Sequence, residues 1–591
     1  MDSLAPSNPA TFTAEQKEYL LGFFAGAMQK APLPFVGINS NGLFTSDAAA
    51  GTANLAEPAV HGTPVSDLSR EELWKYEENP LDLWDKLMAH ADENRIPAPE
   101  DIFRFKFHGL FYVAPAQNSF MLRLRIPGGI LKSYQLRGVA EIAEDWGSGR
   151  ADITTRANLQ IREFQPKDIV RVLTKVQTLG LTSRGSGADN IRNITASPLN
   201  GLDPAELCDV SVLANALHHY ILNSRDMYDL PRKFNVAFDN GGAISVVADT
   251  NDIGFVAVRV SEGREVAPGI YFRVLLCGIT GHKQFAADCG ILLRPDQAIA
   301  AAAAMIRVYA EHGDRTDRKK ARLKYLVDRW GIERFIAETE KLLAFPLIRL
   351  AAELCEPRAA VDRAAHIGVH AQKQQDRHYI GVAIPVGQLP AHQVRAIADI
   401  ADRFGTSEVR LTIWQNLLIP NVATENLDGA TQALRSAGLD CTAGALLRGT
   451  VACTGNRGCR FAATDTKSHA VELANMIDTK FQIDQPVNLH VTGCPHSCAQ
   501  HYIGDIGLLG TKVAGEEGYQ VVIGGGSDRD QGLARELIAS VRYADLPALM
   551  DRLFSSFVDN RHAGESFLDF TRRHSVADLH GFIAQKELAQ A

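Results

Sequence analysis

Long apolar runs are missing from this chain of 591 residues. A membrane-crossing helix needs roughly 20 consecutive apolar residues, and the most weakly polar stretch, Ala298 to Ile306, is short and built on alanine. Basic residues are missing from the start. Met1 to Ala10 hold Asp2 and no Lys or Arg, and no twin-arginine pattern follows, so no secretory signal is expected and a cytoplasmic location is. An excess of positive charge is missing too: the formal net charge is -8, and a nucleic-acid-binding face would show a basic stripe. Cysteine is scarce and odd in number, nine in all, which excludes a secreted disulfide scaffold. No phosphate-binding glycine fingerprint is present. Gly524-Gly525-Gly526, after the strand-like Tyr519 to Ile523, reads as a turn.

What is present is a repeat. Residues 136–160 (LRGVAEIAEDWGSGRADITTRANLQ) and 394–418 (VRAIADIADRFGTSEVRLTIWQNLL) align without a gap, with eight of 25 positions identical, among them Arg137 and Arg395, Gly147 and Gly405, and Asn158 and Asn416. Around each copy the pattern predicts strand, turn, amphipathic helix, strand and helix. In the first copy these are Phe120 to Ile126, Pro127-Gly128-Gly129, Leu136 to Asp145, Ala151 to Phe164 and Ile169 to Leu179. In the second they are His378 to Ile384, Pro385 to Leu389, Val394 to Arg403, Val409 to Ile419 and Leu427 to Ala437. A duplicated α/β unit predicts pseudo-twofold architecture of the α+β class, with a large site at the junction of the halves.

The expected segments are 1–69, a helical extension (Phe12 to Met28) and linker; 70–184, the first half; 185–330, a first lobe; 331–375, a helical connection; 376–440, the second half; and 441–591, a second lobe.

Four cysteines cluster in the last segment. Cys453 and Cys459 lie in CTGNRGC, and Cys494 and Cys498 in CPHSC. Four thiolates suit a [4Fe-4S] cluster. Zinc also accepts four cysteines but favours gaps of two to four residues, which C-x5-C fits poorly; zinc or plain buried thiols remain the alternatives at this point. The C-x3-C gap allows two thiolates on one helical turn, with Pro495 at its start.

Taken in order, FMLRLRIPGG (120–129), ADITTRANLQIR (151–162), GADNIRN (187–193), LPRKFN (230–235) and the context TGCPHSCAQHYIGDIGLLG (492–510) make the chain resemble the nitrite and sulfite reductases that carry sirohaem and a [4Fe-4S] cluster. Within them it looks closest to the ferredoxin-dependent assimilatory nitrite reductases. The resemblance covers roughly residues 70–530. It implies an internally duplicated fold with paired ferredoxin-like halves and two α/β lobes that bind sirohaem and the iron–sulfur cluster. It implies that Cys453, Cys459, Cys494 and Cys498 ligate the cluster and that Cys498 also bridges to the sirohaem iron. One departure is His496, where such proteins often carry asparagine.

Sirohaem carries eight carboxylates and nitrite is an anion, so a buried site for both needs many cations. By the resemblance, Arg123, Arg192, Arg232 and Lys233 belong to the distal face that holds nitrite, with Lys233 a proton donor. Arg156, Gln160 and Arg162, read as one strand face, are expected on the sirohaem-carboxylate surface. Arg315 and Lys319, from the basic run Arg315 to Lys324, are expected to add carboxylate contacts, and Gln415 and Asn416 to touch the tetrapyrrole. Asn235 stands where sulfite-reducing relatives carry a second lysine, which favours nitrite over sulfite. With no flavin or nicotinamide module in the chain, reduced ferredoxin is the expected electron donor. A monomer with no nucleic-acid or membrane partner is expected. The alternatives are a ferredoxin-dependent sulfite reductase producing sulfide, a related precorrin-modifying oxygenase, a non-catalytic redox carrier, and a structural zinc protein.

Overall fold

A computed structural model describes residues 57–590; the helix expected over Phe12 to Met28 lies outside them. The duplicated units form the centre. In the first, the strands run Leu110–Val113, Ser119–Arg123, Leu159–Phe164 and Arg150–Ile153 across one antiparallel sheet. In the second, Gly368–Ala371, Arg377–Val382, Leu417–Ala423 and Glu408–Leu411 do the same.

Each sheet is then completed by a strand from the other half. Gln388–Pro390 pairs with Arg150–Ile153 in the register Leu389↔Ala151, and Ile130–Lys132 pairs with Glu408–Leu411 in the register Leu131↔Val409. The exchanged strands follow the two Pro-containing turns. Gly129 (φ +75) would place a Cβ 2.5 Å from the Leu411 carbonyl oxygen, and Gly387 (φ +72) 2.4 Å from that of Ile153. Only glycine permits both the backbone angle and that approach.

The helices Ser133–Asp145 and Ala391–Phe404 pack on each other. Their apolar positions, Leu136, Val139 and Ala143 against Val394, Ile397 and Ala401, share one core. On the outer side the repeated arginines reach across the pseudo-twofold axis, Arg137 to Asp399 (2.6 Å) and Asp402 (2.5 Å), and Arg395 to Glu144 (2.5 Å).

Both lobes open on three parallel strands. In the first these are Thr195–Ala196, Val236–Asp239 and Ile253–Val260; in the second, Thr450–Ala452, Leu489–Thr492 and Ile506–Val513. Antiparallel strands complete each sheet. The alanine-rich stretch near residue 300 is the helix Ala298–His312, buried against the first lobe.

Three sequence expectations need correction. Ala151 to Phe164 and Val409 to Ile419 are not single strands. Each breaks at a turn, Thr154 to Asn158 and Thr412 to Asn416, closed by a hydrogen bond from the Thr amide to the Asn carbonyl oxygen (2.9 Å in both) with Ala157 and Gln415 at positive φ. The connection after residue 331 is helical over Ile332–Glu340 and a short 3-10 turn at Ala352–Leu354; Gly368–Ala371 already belongs to the second half-sheet. The Cys494 to Cys498 segment is a run of turns, with Ser497 at φ +53, and not a helical turn.

Candidate active site

Cys453 follows the strand Thr450–Ala452, and Cys494 comes two residues after the neighbouring parallel strand Leu489–Thr492. Both pairs therefore emerge at the carboxyl ends of adjacent parallel strands, where α/β sheets place their ligands. The Gly493 amide donates to Cys453 Sγ (3.2 Å), and Thr466 Oγ1 donates to the Cys453 carbonyl oxygen (2.7 Å). Burial raises the Cys494 thiol to about 11, opposed by a backbone hydrogen bond from His496 and reinforced by the sulfurs of Cys498, Cys459 and Cys453. The other three sulfurs thus lie within electrostatic reach of Cys494. Among the described residues no three His, Cys, Asp or Glu side chains close around a single metal ion.

The cations come from the amino ends of the first lobe's parallel strands. Ile191 bridges Phe234 in parallel, with the Arg192 amide donating to the Phe234 carbonyl oxygen (2.8 Å). That pairing sets Arg192 beside Lys233. Arg192 donates to the Ser186 and Ala188 carbonyl oxygens (2.9 and 2.7 Å), and its Nε is buried without a partner. Arg123, at the end of its strand, lies over the Phe111 ring (4.6 Å). The Asn235 amide group makes no hydrogen bond among the described residues, while its backbone N–H donates to Asp252 (2.8 Å).

Burial lowers Arg123 and Arg156 to about 10, and Arg192 falls well below its ordinary value, pushed further by Arg123. Burial and then Arg322 lower Lys233 to about 7, with Arg192 and Arg232 adding to the push and Cys498 opposing it. The Cys498 sulfur also acts on Arg123, and Thr155 Oγ1 donates to the Cys498 carbonyl oxygen (3.2 Å). The cysteine loop and the cations therefore face one another across the turn that carries Arg156.

Not every expected residue joins them. Arg232 donates to Asp189 at the rim (3.4 Å). Arg156 sits in the turn, held by the Asn193 carbonyl oxygen (2.8 Å) and Asn251 (3.0 Å). Arg162 turns toward the cysteines, donating to Thr454 Oγ1 (2.8 Å) and Gln160 Oε1 (2.6 Å). Arg315 is a correction: it is buried in an ion pair with Glu72 (2.6 Å) and Asp229 (3.1 Å), so its charge is taken. Lys319 is exposed on its loop. Gln415 and Asn416 are a further correction, because backbone groups use their amides. Gln415 clamps Ala452 by N–H···O bonds in both directions (3.0 and 2.9 Å), and Asn416 bonds the Ile384 amide (2.8 Å) and the Arg448 carbonyl oxygen (3.2 Å).

Sequence reading missed Lys106. Burial and then Arg460 lower it to about 8, and its ammonium makes no hydrogen bond among the described residues. Its only signal was a basic residue, with Arg104, in the aromatic run FRFKFHGLF.

Comparison with known proteins defines the class. Residues 187–347 and 443–567 match the nitrite and sulphite reductase 4Fe-4S domain, and residues 114–179 and 370–437 match the nitrite/sulfite reductase ferredoxin-like half domain. The chain belongs to this nitrite and sulfite reductase family. It is 34% identical to the ferredoxin–nitrite reductase of Synechococcus elongatus, over 82% of this chain and 96% of that one. It is 30% identical to the assimilatory ferredoxin-dependent nitrite reductase of Haloferax mediterranei, over 84% and 90%. Among solved structures, the Mycobacterium tuberculosis NirA protein superposes with a TM-score of 0.78 at 27% identity, over 87% of this chain and 97% of that one.

Proposed function

We propose that this chain is a cytoplasmic, monomeric ferredoxin-dependent nitrite reductase that converts nitrite to ammonia with six electrons. One observation carries the reading. Among the described residues, Arg123, Arg192 and Lys233 have no carboxylate partner, Arg123 and Lys233 both lie within electrostatic reach of the Cys498 sulfur, and the Asn235 side-chain amide makes no hydrogen bond. Unpaired buried cations are costly, and an anionic occupant relieves that cost.

The donor set fits both cofactors. Cys453, Cys459, Cys494 and Cys498 would hold the [4Fe-4S] cluster, and Arg156 and Lys106, which have no carboxylate partner among the described residues, would face sirohaem carboxylates. When bound, the pair would supply stored electrons and an iron centre for nitrite reduction. Arg123 and Arg192 then hold the nitrite oxygens and stabilise the charge that develops as N–O bonds break. Lys233, lowered toward neutrality, is suited to give up a proton at Nζ. Asn235 adds a hydrogen-bond donor without adding charge.

The test pairs wild type with Asn235→Lys, each assayed with nitrite and with sulfite under the same supply of reduced ferredoxin. Wild type is expected to prefer nitrite, and the variant to raise sulfite turnover relative to nitrite turnover. Preference of the wild type for sulfite would establish the sulfide-producing alternative.

A further inference from the structure

Behind the first cysteine loop lies a buried charge triad that nitrite binding leaves unused. Asp152 and Arg162 sit on adjacent antiparallel strands of the first half, in the register Asp152↔Gln160, and so share one sheet face. Arg162 Nε donates to Asp152 Oδ2 (3.0 Å). Lys467, near the start of the second lobe's helix Thr466–Lys480, donates from Nζ to Asp152 Oδ1 (3.2 Å) and to the Val386 carbonyl oxygen (2.9 Å). All three residues are buried, at 5%, 3% and 8% exposure. One carboxylate thus neutralises one of two cations, leaving a single net positive charge.

That charge touches the ligand loop at both ends. Arg162 Nη2 donates to Thr454 Oγ1 (2.8 Å), next to Cys453, and Nη1 approaches the Gly458 carbonyl oxygen (3.5 Å), next to Cys459. A Cβ on Gly458 would stand 3.0 Å from Arg162 Nη1, so this contact leaves little room for a side chain. The triad also joins three parts of the molecule: the first half through Asp152 and Arg162, the second half through Val386, and the second lobe through Lys467.

We propose that Asp152, Arg162 and Lys467 form a positioning element for the iron–sulfur site. Arg162 clamps the Cys453 to Cys459 loop, and the net positive charge of the triad raises the cluster's midpoint potential. Net charge and hydrogen bonding around the sulfurs set such potentials, and burial strengthens both. The inference rests on the reading of the four cysteines as [4Fe-4S] ligands.

Iron and acid-labile sulfide content of the purified wild-type holoenzyme tests that reading first; a wild type without them overturns both together. Redox titration followed by electron paramagnetic resonance then compares Arg162→Gln, Arg162→Lys and Lys467→Met. Arg162→Gln and Lys467→Met each remove one positive charge, and both are expected to shift the cluster potential downward. Arg162→Lys keeps the charge but loses the planar fork, so its potential should stay at the wild-type value while iron is lost faster to a chelator. If Arg162→Gln fails to retain iron, Lys467→Met carries the electrostatic half alone. Wild-type potentials in the charge-removing variants, or an equal shift in Arg162→Lys, would overturn the proposal.

Discussion

At the scale of single residues, the site is a set of cations held in a state they resist. Arg123, Arg156, Arg192 and Lys233 are all lowered by burial and then by neighbouring arginines. The effect on Lys233 has a testable sign. Its ammonium is present below its pKa, about 7 in this structure, and is lost as pH rises through it. A bound polyanionic cofactor favours the charged form and moves the step upward. The KM for nitrite is therefore expected to rise with pH above neutrality in wild type, and to stay flat in Lys233→Arg, whose guanidinium keeps its proton. Nitrite KM measured from pH 6 to pH 9 checks this; identical profiles for the two proteins would remove Lys233 from anion binding. Much of this residue set was legible in the sequence because the four cysteines and the motifs around Arg123, Arg192 and Lys233 occur in order. Partner choice was not legible. Arg315 and Arg162 look equally free in the chain, yet Glu72 and Asp229 claim one and the cysteine loop claims the other.

At the scale of elements, the two turns Thr154 to Asn158 and Thr412 to Asn416 do the positioning. They were hidden in the sequence because neither contains Gly or Pro, and their Thr and Leu neighbours extend the β-like pattern on both sides. Reading through them set Arg156, Gln160 and Arg162 on one strand face, although Arg156 belongs to the turn. The repeat itself, its helices and its Pro-containing turns were legible, since eight identities over 25 positions preserve their spacing. The exchange of Ile130–Lys132 and Gln388–Pro390 between halves was not, because three-residue strands carry too little pattern. Asn416 tests the structural reading of the second turn. Asn416→Ala leaves the buried Ile384 amide unpaired, while the Arg448 carbonyl oxygen keeps His366 Nε2 (2.9 Å). It is expected to cost about 1–3 kcal/mol in thermal unfolding with nitrite KM unchanged. An altered nitrite KM with unaltered stability would instead place Asn416 in the site.

At the scale of the whole molecule, duplication builds one cationic site rather than two. Trp414 stands in the second turn where Arg156 stands in the first. A cavity of about 240 Å³ beside it is lined by Trp414, His366 and Ile503 as well as by charged groups, without the concentration of cations found around Cys498. Electron entry is expected on the cysteine side, where Arg460, Phe461 and Arg457, the last paired with Asp465 (2.6 Å), are exposed around Cys459. An acidic donor steered by these charges binds less well as salt screens them. Turnover with ferredoxin is expected to fall with ionic strength, and Arg457→Glu to lower kcat/KM for ferredoxin about twofold to fivefold, the range an exposed charge pair supports. Turnover with a small neutral reductant should not respond to that substitution; if it falls equally, Arg457 serves the fold and not docking. The most direct test of the whole account is the product balance of the purified wild-type holoenzyme. Supplied with nitrite and reduced ferredoxin, it should form one ammonia for every six ferredoxins oxidised, with four irons of the cluster and one of the tetrapyrrole per chain. Ferredoxin oxidation without ammonia, or a colourless protein holding zinc in place of iron, would contradict it.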